Sequence, residues 1–355
     1  EVLPIVKGTR TKIKVMVDLP AFAERAAKSE CEAVGLMRLE GIIASSGKHP
    51  MYFFKENKLP EYTHILEKGI YDIAKHFKEI WIRTSDIRSD EYRNIQGAPK
   101  ELEINPMLGF HGIRFSLKYP AILEAELNAI KNVAEKHPDK KFGIMFPQII
   151  SESEMEAVYK LIREKYNKHN IIIGAMIETP AAVQIIRRIC KYAKFISFGT
   201  NDLTQYTLAI DRGNSDVQYL YDEMHPSVLL QLKRVIYICK EYGVETSICG
   251  QAGSKKEMVK FLIRQGIDSL SVNADMAAEI SKYVLELERT GGNYDNMTRK
   301  PKTTSEAKKD ILPLDDTKHL EKKIEQKREE VAEDKKKKEE EFPDIEIGFD
   351  PFQQQ

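Results

Sequence analysis

Short apolar runs closed by a polar or charged residue recur along most of this chain, separated by stretches of helical period. Residues 12–17 alternate polar and apolar as a strand does, and 33–38 form an apolar run that ends on Arg38. The pattern repeats at 80–83, closing on Arg83, and further β-prone runs lie at 142–146, 171–177, 195–198, 245–248 and 269–272. Between most of them, residues 19–31, 61–78, 152–167, 181–192, 227–242 and 255–265 have amphipathic helical spacing, with Gly243 and Gly266 placed as helix stops. Strands alternating with helices predict a parallel sheet, and eight such units predict a closed (β/α)8 TIM barrel of class α/β. An open doubly wound sheet is the structural alternative. The third unit is expected to carry a long insertion, from Thr84 to about Pro138.

The pattern also sets domain limits. Residues 1–11 read as an irregular lead-in and 12–290 as the barrel. Residues 291–316 are polar, with Pro301 and Pro313, and read as a linker. Residues 317–355 form a charged tail in which Leu320, Ile324 and Val331 fit one helical stripe. That stripe suits a short coiled coil, a solvated helix or a disordered tail. The aromatic and acidic end, from Phe342 to Gln355, reads as a docking segment.

Composition narrows the function classes. The chain has 355 residues, 42% of them hydrophobic, enough to bury a large core. Lys+Arg and Asp+Glu balance at 55 each, so no global field points to nucleic acid or to a membrane surface, and any anion site must be local. No apolar run reaches a membrane span, and Cys31, Cys190, Cys239 and Cys249 form no C-x-x-C pair, which favours a reducing cytoplasm. The chain opens on Glu1, as a piece of a longer protein would. Its abundance of Lys, Glu and Ile leans towards a heat-adapted source.

In a barrel of this kind the carboxyl ends of the strands converge on one mouth, where chemistry is done. The expected strands end on Arg38, Arg83, Glu178, Asn201-Asp202, Cys249 and Asn273. Two arginine forks suit a small ligand carrying carboxylate and phosphate. Glu178 and Asp202, from different strands and with Asn201 and ligand oxygens beside them, suit an octahedral Mg2+. Singly, each residue has a plainer role: an arginine in a salt bridge, Glu178 or Asp202 capping a helix, Cys249 as a small buried side chain. Their joint placement at strand ends favours the site.

Four stretches carry a resemblance: Gly35-Leu36-Met37-Arg38-Leu39-Glu40, Ile177-Glu178-Thr179-Pro180, Phe198-Gly199-Thr200-Asn201-Asp202-Leu203-Thr204-Gln205 and Cys249-Gly250-Gln251. Over residues 12–290 the chain resembles the phosphoenolpyruvate-binding barrel of the PEP-utilising enzymes, which include phosphoenolpyruvate synthase, pyruvate phosphate dikinase and enzyme I of the sugar phosphotransferase system. Ser85-Asp86 followed by Glu91-Tyr92, with Asn105-Pro106-Met107-Leu108-Gly109-Phe110, is most similar to the synthase branch (pyruvate, water dikinase).

The resemblance implies that Arg38 and Arg83 bind phosphoryl and carboxylate groups. It also implies that Glu178 and Asp202 bind Mg2+, that Gly199, Thr200 and Asn201 surround the substrate, and that Arg212 contacts phosphate. Cys249 is implied as the proton donor to the enolate carbon of pyruvate, provided its pKa lies near neutrality. His111 stands where relatives commonly have an arginine, and Arg114 is the neighbour able to supply that charge. The implied partners are pyruvate or phosphoenolpyruvate, and phosphohistidine and ATP-binding domains outside this chain. A homo-oligomer is expected. Two other readings remain: a metal-dependent lyase of 2-oxo acids, and an assembly scaffold acting through the tail.

Overall fold

The computed structural model describes residues 1–166 and 170–290. Eight strands, β1 (Lys12–Met16), β2 (Ala33–Arg38), β3 (Glu79–Arg83), β4 (Lys141–Phe146), β5 (Ile171–Ile177), β6 (Phe195–Gly199), β7 (Glu245–Cys249) and β8 (Ser269–Val272), pair parallel in sequence order. β8 pairs back onto β1, with Lys12 opposite Ser269 and Val15 opposite Val272, so the sheet has no edge. This is the expected (β/α)8 barrel. β2 to β6 are nearly continuous apolar runs because helices cover their outer face and side chains fill the inside, whereas β1, β7 and β8 mix in polar residues.

The inside is packed by Leu36, Trp81, Met145, Met176, Phe195 and Cys249, with the Trp81 and Phe195 rings stacked at 3.9 Å between centroids. Lys14, a polar position of the alternating first strand, is 1% exposed; its Nζ lies 3.4 Å from the Trp81 ring centroid and 3.3 Å from Glu245. The amino-terminal side of the barrel is therefore closed by an ion pair and aromatic rings. Only the opposite end is open to a ligand.

Most helices fall where the pattern placed them: Leu59–Ala74, Glu152–Lys165, Pro226–Tyr242 and Lys256–Gln265. Gly243 and Gly266 stop the last two at φ of +66° and +78°. Two are shorter than expected. Residues 19–31 hold a 3-10 turn, Pro20–Phe22, and one short helix, Ala23–Ala27; residues 181–192 break into Pro180–Gln184 and Ile186–Ile189. The expected insertion from Thr84 is only partly one, because Ile113–Lys118 and Pro120–Lys136 are helical. Pro120–Lys136 packs against Leu59–Ala74 as the outer helix of the third unit, leaving residues 84–112 as the true excursion over the mouth.

The lead-in runs along the barrel without helix or strand, held by Ile5 N–H donating to the Ser29 carbonyl and by Thr11 N–H donating to Glu288. No helix among the described residues is long and apolar enough to cross a membrane. The linker at 291–316 and the charged tail at 317–355, with its coiled-coil stripe, lie outside the described residues.

Candidate functional site

A cavity of about 410 Å³ opens at the carboxyl ends of the strands. The residues expected to bind the substrate or the metal or to carry the proton line it: Arg38, Arg83, Glu178, Gly199, Thr200, Asn201, Asp202, Arg212 and Cys249. Glu178 directly follows β5, Gly199 and Cys249 end β6 and β7, and Asp202 lies in the first turn of the helix Thr200–Leu208. There its carboxylate faces the positive end of the helix dipole.

Asp86, Glu178 and Asp202 each offer a carboxylate oxygen within 4.8 Å of the others, the one such acidic group found among the described residues. Burial, and then the charge of Asp202, pushes Glu178 well above the usual carboxylate range; burial and Asp86 raise Asp202. Asp86 stays below its ordinary value: burial opposes its charge, but the hydrogen bond to His111 and the Arg83 guanidinium outweigh it. A buried carboxylate, Glu178, with two at the cavity wall that crowd it is the donor set a hard divalent cation needs, so these residues fit an ion of the Mg2+ kind.

Sequence reading missed two supports of this group. Gln148 donates its backbone N–H to Glu178 Oε1 at 2.7 Å and its side-chain Nε2 to Asp202 Oδ2 at 2.8 Å, while its Oε1 accepts from Tyr206 at 2.8 Å. It holds a φ of +61°, a conformation uncommon for a residue with a side chain, and so one residue, through its backbone and side-chain amides, orients two carboxylates. Asp86, visible in the sequence only as part of the Ser85-Asp86 motif, is the third oxygen donor. Beneath it Glu126, fully buried, accepts Ser85 N–H at 2.8 Å, Ser85 Oγ at 2.7 Å and the Tyr62 hydroxyl at 2.9 Å, which fixes the start of the loop.

The cations divide by burial. Arg83 donates to Glu40 at 3.2 Å and is held charged, against its burial, by Glu40, Asp86, Glu178 and Asp202. Its Nε is buried without a hydrogen-bond partner, as is Thr200 Oγ1. Arg38 is half exposed and bonded to Asp18. Arg212 Nη1 reaches the Asn201 amide oxygen at 3.2 Å when that amide is oriented to donate to Glu223 at 3.1 Å.

His111 presents Nδ1 to Asp86 at 2.6 Å and Nε2 to the Met107 carbonyl at 2.9 Å. Two acceptors on one ring favour the doubly protonated form; although burial opposes it, the Asp86 bond raises the ring above its ordinary value. His111 therefore brings positive charge itself. Arg114, the expected substitute, donates to the Leu108 and Gly109 carbonyls and is not in the cavity wall, whereas Arg88 is.

Cys249 Sγ lies 3.3 Å from the Phe198 carbonyl, and burial pushes the thiol up to about 11. That lies above the near-neutral range on which its implied proton-transfer role depends, and it keeps the thiol protonated at pH 7. Alkylation of Cys249 by iodoacetamide, followed by peptide mass spectrometry, should be slow at pH 7 and rise about tenfold per pH unit up to that value. Fast modification at neutral pH would contradict this.

Gly199 has a steric reason. A Cβ there would overlap Glu178 Oε2 and sit 2.8 Å from Glu178 Cβ. Gly199→Ala should therefore displace Glu178 and lower any divalent-cation affinity of the acidic group by about 10-fold to 100-fold while the far-ultraviolet spectrum stays that of a barrel. An unchanged affinity would show that Glu178 is not held by this contact.

Comparisons with known proteins place the chain in a family. The family model described as "PEP-utilising enzyme, PEP-binding domain" matches residues 2–289. The chain is 47% identical over 292 residues to a protein of Pyrococcus furiosus named phosphoenolpyruvate synthase, and 46% identical over 292 to a probable phosphoenolpyruvate synthase of Pyrococcus abyssi. In both cases the match covers 81% of this chain and 35% of the relative, so the chain spans about a third of the length of these relatives. A phosphoenolpyruvate-protein phosphotransferase of Haemophilus influenzae is 32% identical, over 79% of this chain and 48% of that protein. With the barrel closed, the mouth lined as described and the family model matching nearly all the described residues, the chain belongs to the PEP-binding domain family of the PEP-utilising enzymes.

Proposed function

We propose that this chain is the C-terminal, substrate-bearing part of a phosphoenolpyruvate synthase, exchanging a phosphoryl group between a phosphohistidine and the enolate of pyruvate. The observation that carries the reading is the meeting, in one cavity, of the Asp86–Glu178–Asp202 group, the Arg83 fork with an unpaired Nε, and a protonated Cys249. The overall reaction would be ATP, pyruvate and water to AMP, phosphoenolpyruvate and phosphate, with the phosphohistidine and ATP-binding domains on the remainder of a longer polypeptide. A cytoplasmic homo-oligomer is part of the same proposal.

Glu178 and Asp202, with Asp86 beside them, would hold Mg2+. When bound, that ion would supply the positive charge that lowers the energy of the enolate. Arg83 binds from the buried side, where its fork takes ligand oxygens bidentately. Arg38 and Arg212 face the transferring phosphoryl and offset its charge. Thr200 offers a hydroxyl, and the amide end of its helix an anion-facing dipole. Cys249 holds the proton at Sγ. It gives that proton to C3 of the enolate when phosphoenolpyruvate is consumed, and Sγ takes it from the pyruvate methyl group when phosphoenolpyruvate is formed.

The test is loss of pyruvate methyl protons into D2O, followed by NMR with Mg2+ present. Exchange should rise with pH, because Sγ must be deprotonated to accept a proton, and should be lost in Cys249→Ala. Equal exchange in that variant would overturn the role of Cys249. No exchange in the native protein at any pH would overturn the enolate reading.

A further inference from the structure

Two arginines at the mouth are expected to hold the anionic ligand, and they are fixed by different means. Arg83 is buried and paired with Glu40. Arg38 has a side chain 51% exposed, and among the described residues its side-chain hydrogen bonds go to Asp18. Asp18 Oδ1 accepts the Arg38 backbone N–H at 2.9 Å, and Oδ2 accepts Nε at 2.9 Å together with Nη2.

Asp18 is set rigidly for this task. Met16 pairs with Leu36, and Val17 N–H donates to the Leu36 carbonyl at 3.2 Å, which continues the β1–β2 ladder until Asp18 stands beside Arg38. From behind, Gly41 approaches so closely that a Cβ on it would lie 2.7 Å from the Asp18 carbonyl oxygen. The carboxylate takes one edge of the guanidinium, Nε and Nη2. Nη1 remains for a ligand in the cavity that Arg38 lines.

We infer that Asp18 is a positioning residue that holds Arg38 in its ligand-binding rotamer, so that an incoming carboxylate or phosphoryl group meets a preformed fork. A long half-exposed side chain otherwise loses its rotamer freedom on binding, at a cost of up to about tenfold in affinity. The opposing effect is repulsion between Asp18 and the anion, which solvent screens at this exposure. Positioning therefore outweighs repulsion. The inference rests on the proposed reading of the mouth as an anion site.

The experiment is calorimetric titration of the full chain with phosphoenolpyruvate and Mg2+ for Asp18→Ala, Asp18→Asn and Arg38→Ala, singly and with Asp18→Ala combined with Arg38→Ala. Asp18→Ala should weaken binding about tenfold and Asp18→Asn less, while in the Arg38→Ala background loss of Asp18 should add less than about twofold. Equal or tighter binding in Asp18→Asn would overturn the inference. So would a tenfold loss that persists without Arg38, which marks a merely structural role. Labelling with phenylglyoxal, read at the Arg38 peptide, tests the clasp without any ligand. Labelling several-fold faster in Asp18→Ala, with Arg212 unchanged, is expected, and an unchanged Arg38 rate overturns the inference. If the native chain binds no phosphoenolpyruvate while labelling behaves as expected, the functional reading fails and the clasp stands.

Discussion

Asp202→Asn is expected to lower divalent-cation affinity by at least about 100-fold, since it removes a charged oxygen from a group of three rather than a distant support, whose loss alone costs 10-fold to 100-fold. The same change should leave the metal-free protein as stable as the native one, or more so. Glu178 and Asp202 have folded pKa values raised above their ordinary ones, by burial first and next by a neighbouring carboxylate, Asp202 for Glu178 and Asp86 for Asp202. A raised carboxylate contributes stability that is fully present below its unfolded pKa and lost as pH rises through the folded one. Metal-free native protein should therefore weaken as pH rises from the carboxylate range towards neutrality, and Asp202→Asn should flatten that decline. Titration with Mg2+, and denaturation across that pH range, check both halves. Unchanged affinity in the variant would remove Asp202 from the proposed metal site.

Arg83→Met is expected to destabilise the fold by about 3–5 kcal/mol, because it leaves Glu40 and the site carboxylates buried without their counter-charge. The size follows from burial: the Arg83 side chain is 13% exposed and that of Glu40 is 7%. Adding Glu40→Gln should recover part of the loss, since the orphaned charge is then gone. An exposed pair would cost at most about 1 kcal/mol. Denaturant midpoints of the single and double variants measure this. A single variant that unfolds at the native midpoint would mean that the pair carries no net energy.

The strands were legible because a barrel strand is buried on both faces and leaves a short apolar run, and each expected run lies on an observed strand. Reading each strand's last residue placed Arg38, Arg83, Glu178, Asp202 and Cys249 in one cavity. The same rule applied to Phe142–Phe146 would have reached Gln148, two residues beyond β4; its role depends on a positive φ that sequence does not announce. Helix Pro120–Lys136 was hidden by Glu126, a fully buried carboxylate in the middle of the apolar stripe from Ile122 to Val133. Asp18 was invisible for another reason. Nothing in its neighbourhood along the chain marks it, and its meaning comes from a partner 20 residues away on the next strand.

The most direct measurement is calorimetric titration of the chain with oxalate, a planar mimic of the pyruvate enolate, with and without Mg2+. Saturable binding with Mg2+ that disappears when the metal is withheld, and also in Asp202→Asn, is the result expected of an enolate site built on these carboxylates. Binding that is equally tight without the metal, or absent in both conditions, would contradict it.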